Sequence, residues 1–269
     1  MNFEKEFKDK IILVTGGGDG IGREICRLFS KYNCKIAFFC RTKKNEEITK
    51  KLIFKEKKIL DCLSASFDVY NDKKLDQFCK LVKKKWGGID ILINNLGGGW
   101  YSGNNEITNI TQKKFDKAYN LNLRLHFKLI KYFLPQMLNK KWGRVIGLST
   151  IASLKPSSQP WYYVFKKSID NLYKSLSTQN KYVSKNITFN TILPGAILTK
   201  KTHWYKIKTK NKFIFNKLCK KFPQQRVGSA NEVANLIIFL SSGFSSLING
   251  AKLVIDGGQS NIGYENFSV

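Results

Sequence analysis

The sequence predicts an α/β fold, a doubly wound parallel sheet with helices on both faces. Three observations predict it. From residue 11 onward, short apolar runs alternate with longer amphipathic ones, the pattern of a parallel sheet covered on both sides. A glycine-rich turn, TGGGDGIG at 15 to 22, joins the first apolar run to the first amphipathic one. At 269 residues, with 42% hydrophobic and 25% charged content, the chain has the composition of a soluble globular protein and can bury a core.

The elements follow in order. IILVT (11 to 15) reads as a strand and IGREICRLFSKY (21 to 32) as the helix after it. KIAFFC and KKNEEITKKLIF repeat the unit, as do ILDCLSASF and KKLDQFCKLVKKKW. IDILINN (89 to 95) leads to a long helix over about 112 to 137. RVIGLS, a helix carrying WYYVFKK, ITFNTIL, a helix from about 230 to 241 and AKLVI complete the alternation. No repeat or low-complexity linker interrupts it, so residues 1–269 read as one domain. The stretch 200 to 224 departs from the rhythm, too basic and irregular to belong to the core.

Several function classes are disfavoured by composition. No apolar run approaches the roughly 18 residues of a membrane span, and MNFEKEFKDKIILVTGGG lacks the apolar region and cleavage site of a signal peptide. A cytoplasmic protein without a membrane partner is expected. Cys26, Cys34, Cys40, Cys62, Cys79 and Cys219 form no C-x-x-C, and His126 and His203 lie far apart, so no metal site is expected and the thiols should be reduced and mostly buried. The formal net charge of +28 attracts nucleic acid, anionic membrane or acidic proteins. The lysines are spread along the whole chain beside abundant Asn, Ile and Phe, which reads as compositional bias rather than a nucleic-acid surface.

In the turn, glycine permits a tight bend and close approach of a pyrophosphate to the backbone, and the helix N-terminus draws negative charge. Gly16, Gly20 and Gly22 follow G-x-x-x-G-x-G. With this turn, FDV at 67 to 69, INNLGG at 93 to 98, YNLNL at 119 to 123, GRVIGLST at 143 to 150, the Y-x-x-x-K of WYYVFKK and NTILPGAILT at 190 to 199, the chain resembles the short-chain dehydrogenase/reductase family. RVGSANEVANLIIFLSS and NGAKLVIDGG fit that family's closing helix and strand. The resemblance implies a Rossmann-like fold binding a nicotinamide dinucleotide through Gly16, Gly18, Asp19, Gly20, Ile21 and Gly22. Asp68, Val69, Asn94, Leu96 and Gly97 are implied on the adenosine side, and Pro194, Gly195, Ile197 and Thr199 at the nicotinamide. Leu96 stands where the family usually has a small residue.

Two Tyr–Lys pairs have the same spacing, Tyr162 with Lys166 and Tyr163 with Lys167, and residues four apart share a helix face. The family pattern beyond the lysine continues as Leu172, Tyr173, Lys174, Ser175 and Leu176, in register with Lys166. Tyr162 and Lys166 are therefore the implied pair, with Tyr163 reading as a substrate-wall aromatic and Lys167 as a solvated lysine. The hydroxyl is open between two residues: the strand points to Thr150, which is favoured, and the count back from Tyr162 to Ser149, a residue being missing from the loop SLKPSSQP. By the resemblance, Tyr162 exchanges a proton with the substrate oxygen, Lys166 lowers the phenol pKa and holds the nicotinamide ribose, Thr150 or Ser149 hydrogen-bonds that oxygen, and Asn122 holds a water linking Lys166 to solvent.

Cofactor choice turns on KIAFFCRTKK, where Cys40 replaces a ribose-binding carboxylate and Arg41 and Lys43 follow. A 2′-phosphate fits cations better than NAD does, so NADP(H) is favoured over NAD(H), with Asp19 arguing mildly the other way. The leading expectation is a ketoreductase acting on a small-molecule or carrier-bound ketone, including a β-ketoacyl thioester. Behind it stands an enoyl or dienoyl thioester reductase, suggested by LGGGW at 96 to 100, and in another class an inactive nucleotide-sensing or nucleic-acid-binding protein. The resemblance also implies a homotetramer or homodimer built through the helices around 112 to 137 and 160 to 180. The stretch 200 to 224 is expected to be the substrate lid, with Trp204, Tyr205, Phe213 and Phe215 walling an acyl chain and Lys200, Lys201, Lys206, Lys208, Lys210 and Lys212 attracting an anionic carrier.

Overall fold

The computed structural model of the chain describes residues 1–56, 61–98, 107–155, 160–200 and 202–261. Seven strands form one sheet: β1 (Ile11–Thr15), β2 (Lys35–Cys40), β3 (Asp61–Ser66), β4 (Ile91–Asn94), β5 (Gly143–Leu148), β6 (Ile187–Pro194) and, after the short β7 (Ile197–Leu198) and β8 (Gly228–Ser229), β9 (Lys252–Ile255). Their order is β3-β2-β1-β4-β5-β6-β9 and every pairing is parallel. The chain builds outward from β1 through β2 to β3, then returns to place β4 on the other side of β1. That reversal opens a crevice at the carboxyl ends of β1 and β4, where ligands of such sheets bind.

Alternate residues of each strand feed two cores. Leu13, Phe39, Leu92, Val145 and Phe189 point to one face, packed under α4 (Asp72–Trp86), α6 (Leu125–Lys140) and α7 (Pro160–Ser177). Ile12, Val14, Phe38, Ile93 and Ile146 point to the other, under α2 (Gly20–Phe29) and α11 (Ala230–Ser241). A sheet covered on both faces has little room for polar strand residues, which is why these runs read as apolar in sequence. Burial pushes the Cys62 and Cys79 thiols to about 12.

The sequence reading needs three corrections. A short helix, α1 (Phe3–Phe7), precedes β1, capped by Asn2, with Phe7 buried against Phe29 at 5.2 Å between ring centroids. The long helix begins at α5 (Gln112–Tyr119) but is interrupted by a π turn, Asn120–Arg124, before α6. There Leu125 N–H bonds to the Asn120 carbonyl, five residues back. The basic stretch is regular: α9 (His203–Lys210) and α10 (Lys212–Lys220) pack through Phe215, Cys219 and Phe222. Ile59 and Leu60 of the third apolar run, Pro156 to Gln159 of the loop before α7, Gly99 and Trp100, and Lys201 lie outside the described residues.

Candidate active site

The crevice is a cleft of about 610 Å³, a size suited to a cofactor with substrate. Its floor is the glycine turn. Gly16 (φ +69°) and Gly20 (φ +53°) take left-handed conformations that strain a side chain. A Cβ on Gly18 would stand 2.5 Å from the Cys40 Cβ, and one on Gly22 would run into the Gly16 carbonyl oxygen. Gly16, Gly18, Asp19, Gly20, Ile21 and Gly22 all line the cleft. Asp19 caps α2, accepting from Gly20 N–H at 2.9 Å, and lies 3.7 Å from Arg23.

At the end of β2, Arg41 faces the cleft with Cys40, Thr42 and Asn45. Lys43 does not: it is the first residue of α3 (Lys43–Lys55), and its ammonium turns to Glu46 at 3.2 Å. Asp68 and Val69 line the same end beside Phe67 and Tyr70.

Of the N-N-L-G residues, Leu96 and Gly97 line the cleft and Asn94 does not. Asn94 is the last residue of β4 and points into the interior, where its amide donates to the Tyr173 hydroxyl at 2.9 Å. The cleft residue is Asn95, whose amide donates to the Thr15 carbonyl at 2.9 Å. Strand parity decides which neighbour turns its side chain to the cleft.

The wall facing the turn comes from β5 and α7. Thr150 and Ser149, just past β5, both reach the cleft. The Thr150 hydroxyl accepts from Ala152 N–H at 3.3 Å on the side of Tyr162, whereas the Ser149 hydroxyl donates inward to the Lys166 carbonyl at 3.3 Å. Tyr163 and Lys167 are half-buried and outside the cleft, so Tyr163 is not a wall aromatic. The Lys166 ammonium donates to the Leu148 carbonyl at 2.8 Å and lies 5.9 Å from the Tyr162 ring centroid. Burial lowers Lys166 to about 8, against the opposing pull of Asp170. The phenol differs from expectation: burial pushes Tyr162 above its ordinary value, with the nearby Thr150 hydroxyl pulling the other way.

Asn122 sits inside the π turn, fully buried. Its amide donates to the Ala118 and Gly98 carbonyls at 3.0 and 3.1 Å, and its oxygen accepts from Gly98 N–H at 3.0 Å. It therefore fastens the loop after β4 rather than facing the cleft directly. Pro194, Gly195, Ile197 and Thr199 close the far side, joined by Lys200, Thr202 and Trp204. Among the expected lid aromatics, Trp204 alone lines the cleft, packed on Phe222 at 5.4 Å; Phe213 is 78% exposed and Phe215 is buried. Leu121 and Leu148 also line the cleft, which only helix and strand phase reveal.

A family model described as Enoyl-(Acyl carrier protein) reductase matches residues 16–260. A 3-oxoacyl-[acyl-carrier-protein] reductase FabG of Buchnera aphidicola is 30% identical, with 94% of this chain and 98% of that protein covered. Among solved structures, L-sorbose reductase from Gluconobacter frateurii, complexed with NADPH and L-sorbose, superposes with a TM-score of 0.86 at 26% identity, covering 96% of this chain and 99% of that one. Levodione reductase superposes with a TM-score of 0.84 at 25% identity, covering 96% and 100%.

Proposed function

Because the chain belongs to the short-chain dehydrogenase/reductase family and is an NAD(P)-dependent oxidoreductase, we propose that it is an NADP(H)-dependent ketoreductase acting on a β-ketoacyl thioester or similar ketone. The observation that carries this reading is the convergence of Thr150, Tyr162 and the buried Lys166 on one wall of the cleft, opposite the glycine turn.

The residues present fit the cofactor. Side chains at Gly18 and Gly22 would collide with Cys40 and with the Gly16 carbonyl and break the turn, the N-terminus of α2 faces the cleft with orphan N–H groups, and Arg41 lines the same cleft, where a 2′-phosphate needs a cation. When bound, the nicotinamide supplies or accepts a hydride. Tyr162 keeps its proton at neutral pH because burial raises its pKa, and so serves as the acid that protonates the substrate oxygen. Thr150 hydrogen-bonds the same oxygen as negative charge grows on it. The Lys166 ammonium stabilises the phenolate left behind. A protonated phenol suits reduction better than alcohol oxidation, and NADPH-complexed and FabG-type relatives agree with that direction.

Two expectations test the cofactor and the carrier. NADP(H) binds more tightly than NAD(H), and Arg41→Ala narrows the gap by about 1–3 kcal/mol, the scale of a charge-assisted hydrogen bond; tighter NAD(H) binding in titrations of the wild type rejects the preference. For the substrate, α9 and α10 serve as a lid that carries Lys206, Lys208, Lys210, Lys212, Lys217 and Lys220 and no acidic residue. Steering of an acidic carrier by these lysines makes kcat/KM for a carrier-bound ketone fall about tenfold in high salt or in a variant neutralising Lys206, Lys208, Lys210 and Lys212. A small neutral ketone loses nothing in the same assays; parallel losses for both substrates reject steering.

The name of the matching family model keeps enoyl thioester reduction as a second reading. The same assay with enoyl and β-ketoacyl thioesters separates the two. A homodimer or homotetramer through α6 and α7 is supported by an apolar groove of about 320 Å³ between them, lined by Phe127, Ile130, Leu134, Leu138, Leu172 and Leu176. No described helix is long and apolar enough to cross a membrane, and we place the enzyme in the cytoplasm.

A further inference from the structure

Beneath the wall that carries Thr150 lies a buried carboxyl group that the reaction above does not use. Asp170 stands one turn beyond Lys166 on the same face of α7, and the two are 1% and 3% exposed. Sealing a carboxyl group there costs desolvation that an apolar side chain would avoid. Among the described residues its side chain has one hydrogen bond: Oδ2 accepts from the Ser153 hydroxyl at 2.6 Å, while Oδ1 has no partner.

Ser153 is fully buried and closes the short 3-10 turn, Ile151–Ser153, that follows β5. Thr150 opens that turn. Its hydroxyl accepts from Ala152 N–H at 3.3 Å and its carbonyl from Ser153 N–H at 3.0 Å, so Thr150 and Ser153 move together. The entry to the turn is fixed to the sheet, because Ser149 N–H donates to the Ile192 carbonyl of β6 at 2.8 Å. The exit is tied to α7 instead. The Ser153 hydroxyl has one proton and two acceptors in reach, Asp170 Oδ2 at 2.6 Å and the Thr150 carbonyl at 2.9 Å. That carbonyl is already served by a backbone N–H, so the proton goes to the carboxyl group. The Ser149 hydroxyl, donating to the Lys166 carbonyl at 3.3 Å, runs as a longer tie beside it.

These ties join the segment that bears the Thr150 hydroxyl to the helix that bears Tyr162 and Lys166. Both Thr150 and Tyr162 must reach one substrate oxygen, so their separation matters to the reaction. We propose that Asp170, acting through Ser153, is a positioning residue that sets the place of the Thr150 hydroxyl relative to Tyr162. An apolar residue at 170 would leave the turn free to lean away from α7. Only where turnover is measured does this rest on the ketoreductase reading.

The test compares Asp170→Ala, Ser153→Ala and Asp170→Asn by amide hydrogen exchange and by kinetics. In Asp170→Ala the amide protons of Ala152 and Ser153 exchange about tenfold faster, as the loss of one buried hydrogen bond allows, while those of β1 and β2 keep their rates. Reduction of acetoacetyl coenzyme A by NADPH is assayed at about pH 6, below the Lys166 value of about 8, so that the ammonium stays charged. There kcat falls by about tenfold to 10²-fold, the scale of a misplaced group. KM for the ketone and NADPH affinity stay within about twofold of wild type, because Thr150 acts on charge that grows only in the transition state. Ser153→Ala gives the same losses, and adding it to Asp170→Ala changes nothing further. Asp170→Asn, whose amide oxygen still accepts, restores most of kcat and of the slow exchange. An Asp170→Ala enzyme that melts lower but keeps its kcat reduces Asp170 to a structural role and overturns the proposal, as do unchanged exchange rates at Ala152 and Ser153. Should Asp170→Ala fail to fold, Ser153→Ala and Asp170→Asn carry both readouts. The exchange rates need no ketone: if the wild type reduces none, the ketoreductase reading fails alone and exchange still decides whether Asp170 holds the turn.

Discussion

Tyr162→Phe lowers kcat by about 10²–10⁴-fold, the contribution of a positioned general acid, while NADPH binding is largely kept. One oxygen is removed from a side chain that faces the cleft, and the Thr150 hydroxyl retains its contact with Ala152 N–H at 3.3 Å, so the fold loses little. Tyr163→Phe, outside the cleft, leaves kcat within about twofold, as surface changes away from a site do. Steady-state kinetics on both variants with one ketone decides the matter: equal losses reject Tyr162 as the acid.

Gly97→Ala has the second large effect. Gly97 has no positive φ, so alanine meets no backbone strain. What it meets is the Lys166 ammonium at 2.5 Å, the Asn122 oxygen at 3.1 Å and the Lys166 Cε at 3.4 Å. The ammonium is the free end of the side chain and must give way, leaving the Leu148 carbonyl. A displacement of that order costs about 10²-fold in kcat/KM. Gly87→Ala is the opposite control: φ is +78° with nothing within 4 Å of a Cβ, so it costs about 1 kcal/mol of stability and no activity. A Gly97→Ala enzyme with wild-type kcat/KM would show that Lys166 is not held as the structure has it.

The sheet was legible because each strand is an uninterrupted apolar run; IILVT and KIAFFC coincide with β1 and β2. The glycine turn was legible because its steric demand allows few residue types. The rest depended on phase. The sequence pattern did not show that alternation along β4 turns the Asn94 side chain inward and brings that of Asn95 to the cleft. Nine lysines between 200 and 221 concealed the stripe of Phe215, Cys219 and Phe222 that folds α10 onto the body. Lys166 was expected to lower the Tyr162 pKa, but burial raises it, and burial is a property of the fold rather than of the pair. The Asn94–Tyr173 bond joins residues 79 positions apart, a separation no local pattern displays.

The π turn at Asn120–Arg124 makes chain length, more than residue identity, the constrained quantity in this part of the molecule. A π turn spends one residue beyond an α turn, so α5 and α6 are one helix carrying a single-residue insertion. Deleting one residue there restores the unbroken ladder with the two halves still in phase, because four residues of α-helix turn about as far as the five of the π turn; deleting a second rotates one half by about 100° against the other. Leu129, Phe133 and Met137 then leave the sheet, or Asn122 leaves Gly98. Such a deletant keeps its helix content and gives up either its core or its loop, whereas replacement of the exposed Tyr119 at the edge of the turn disturbs neither. Homologous chains shuffled across this point must therefore be joined in helical phase, or the chimera inherits two halves that face different ways.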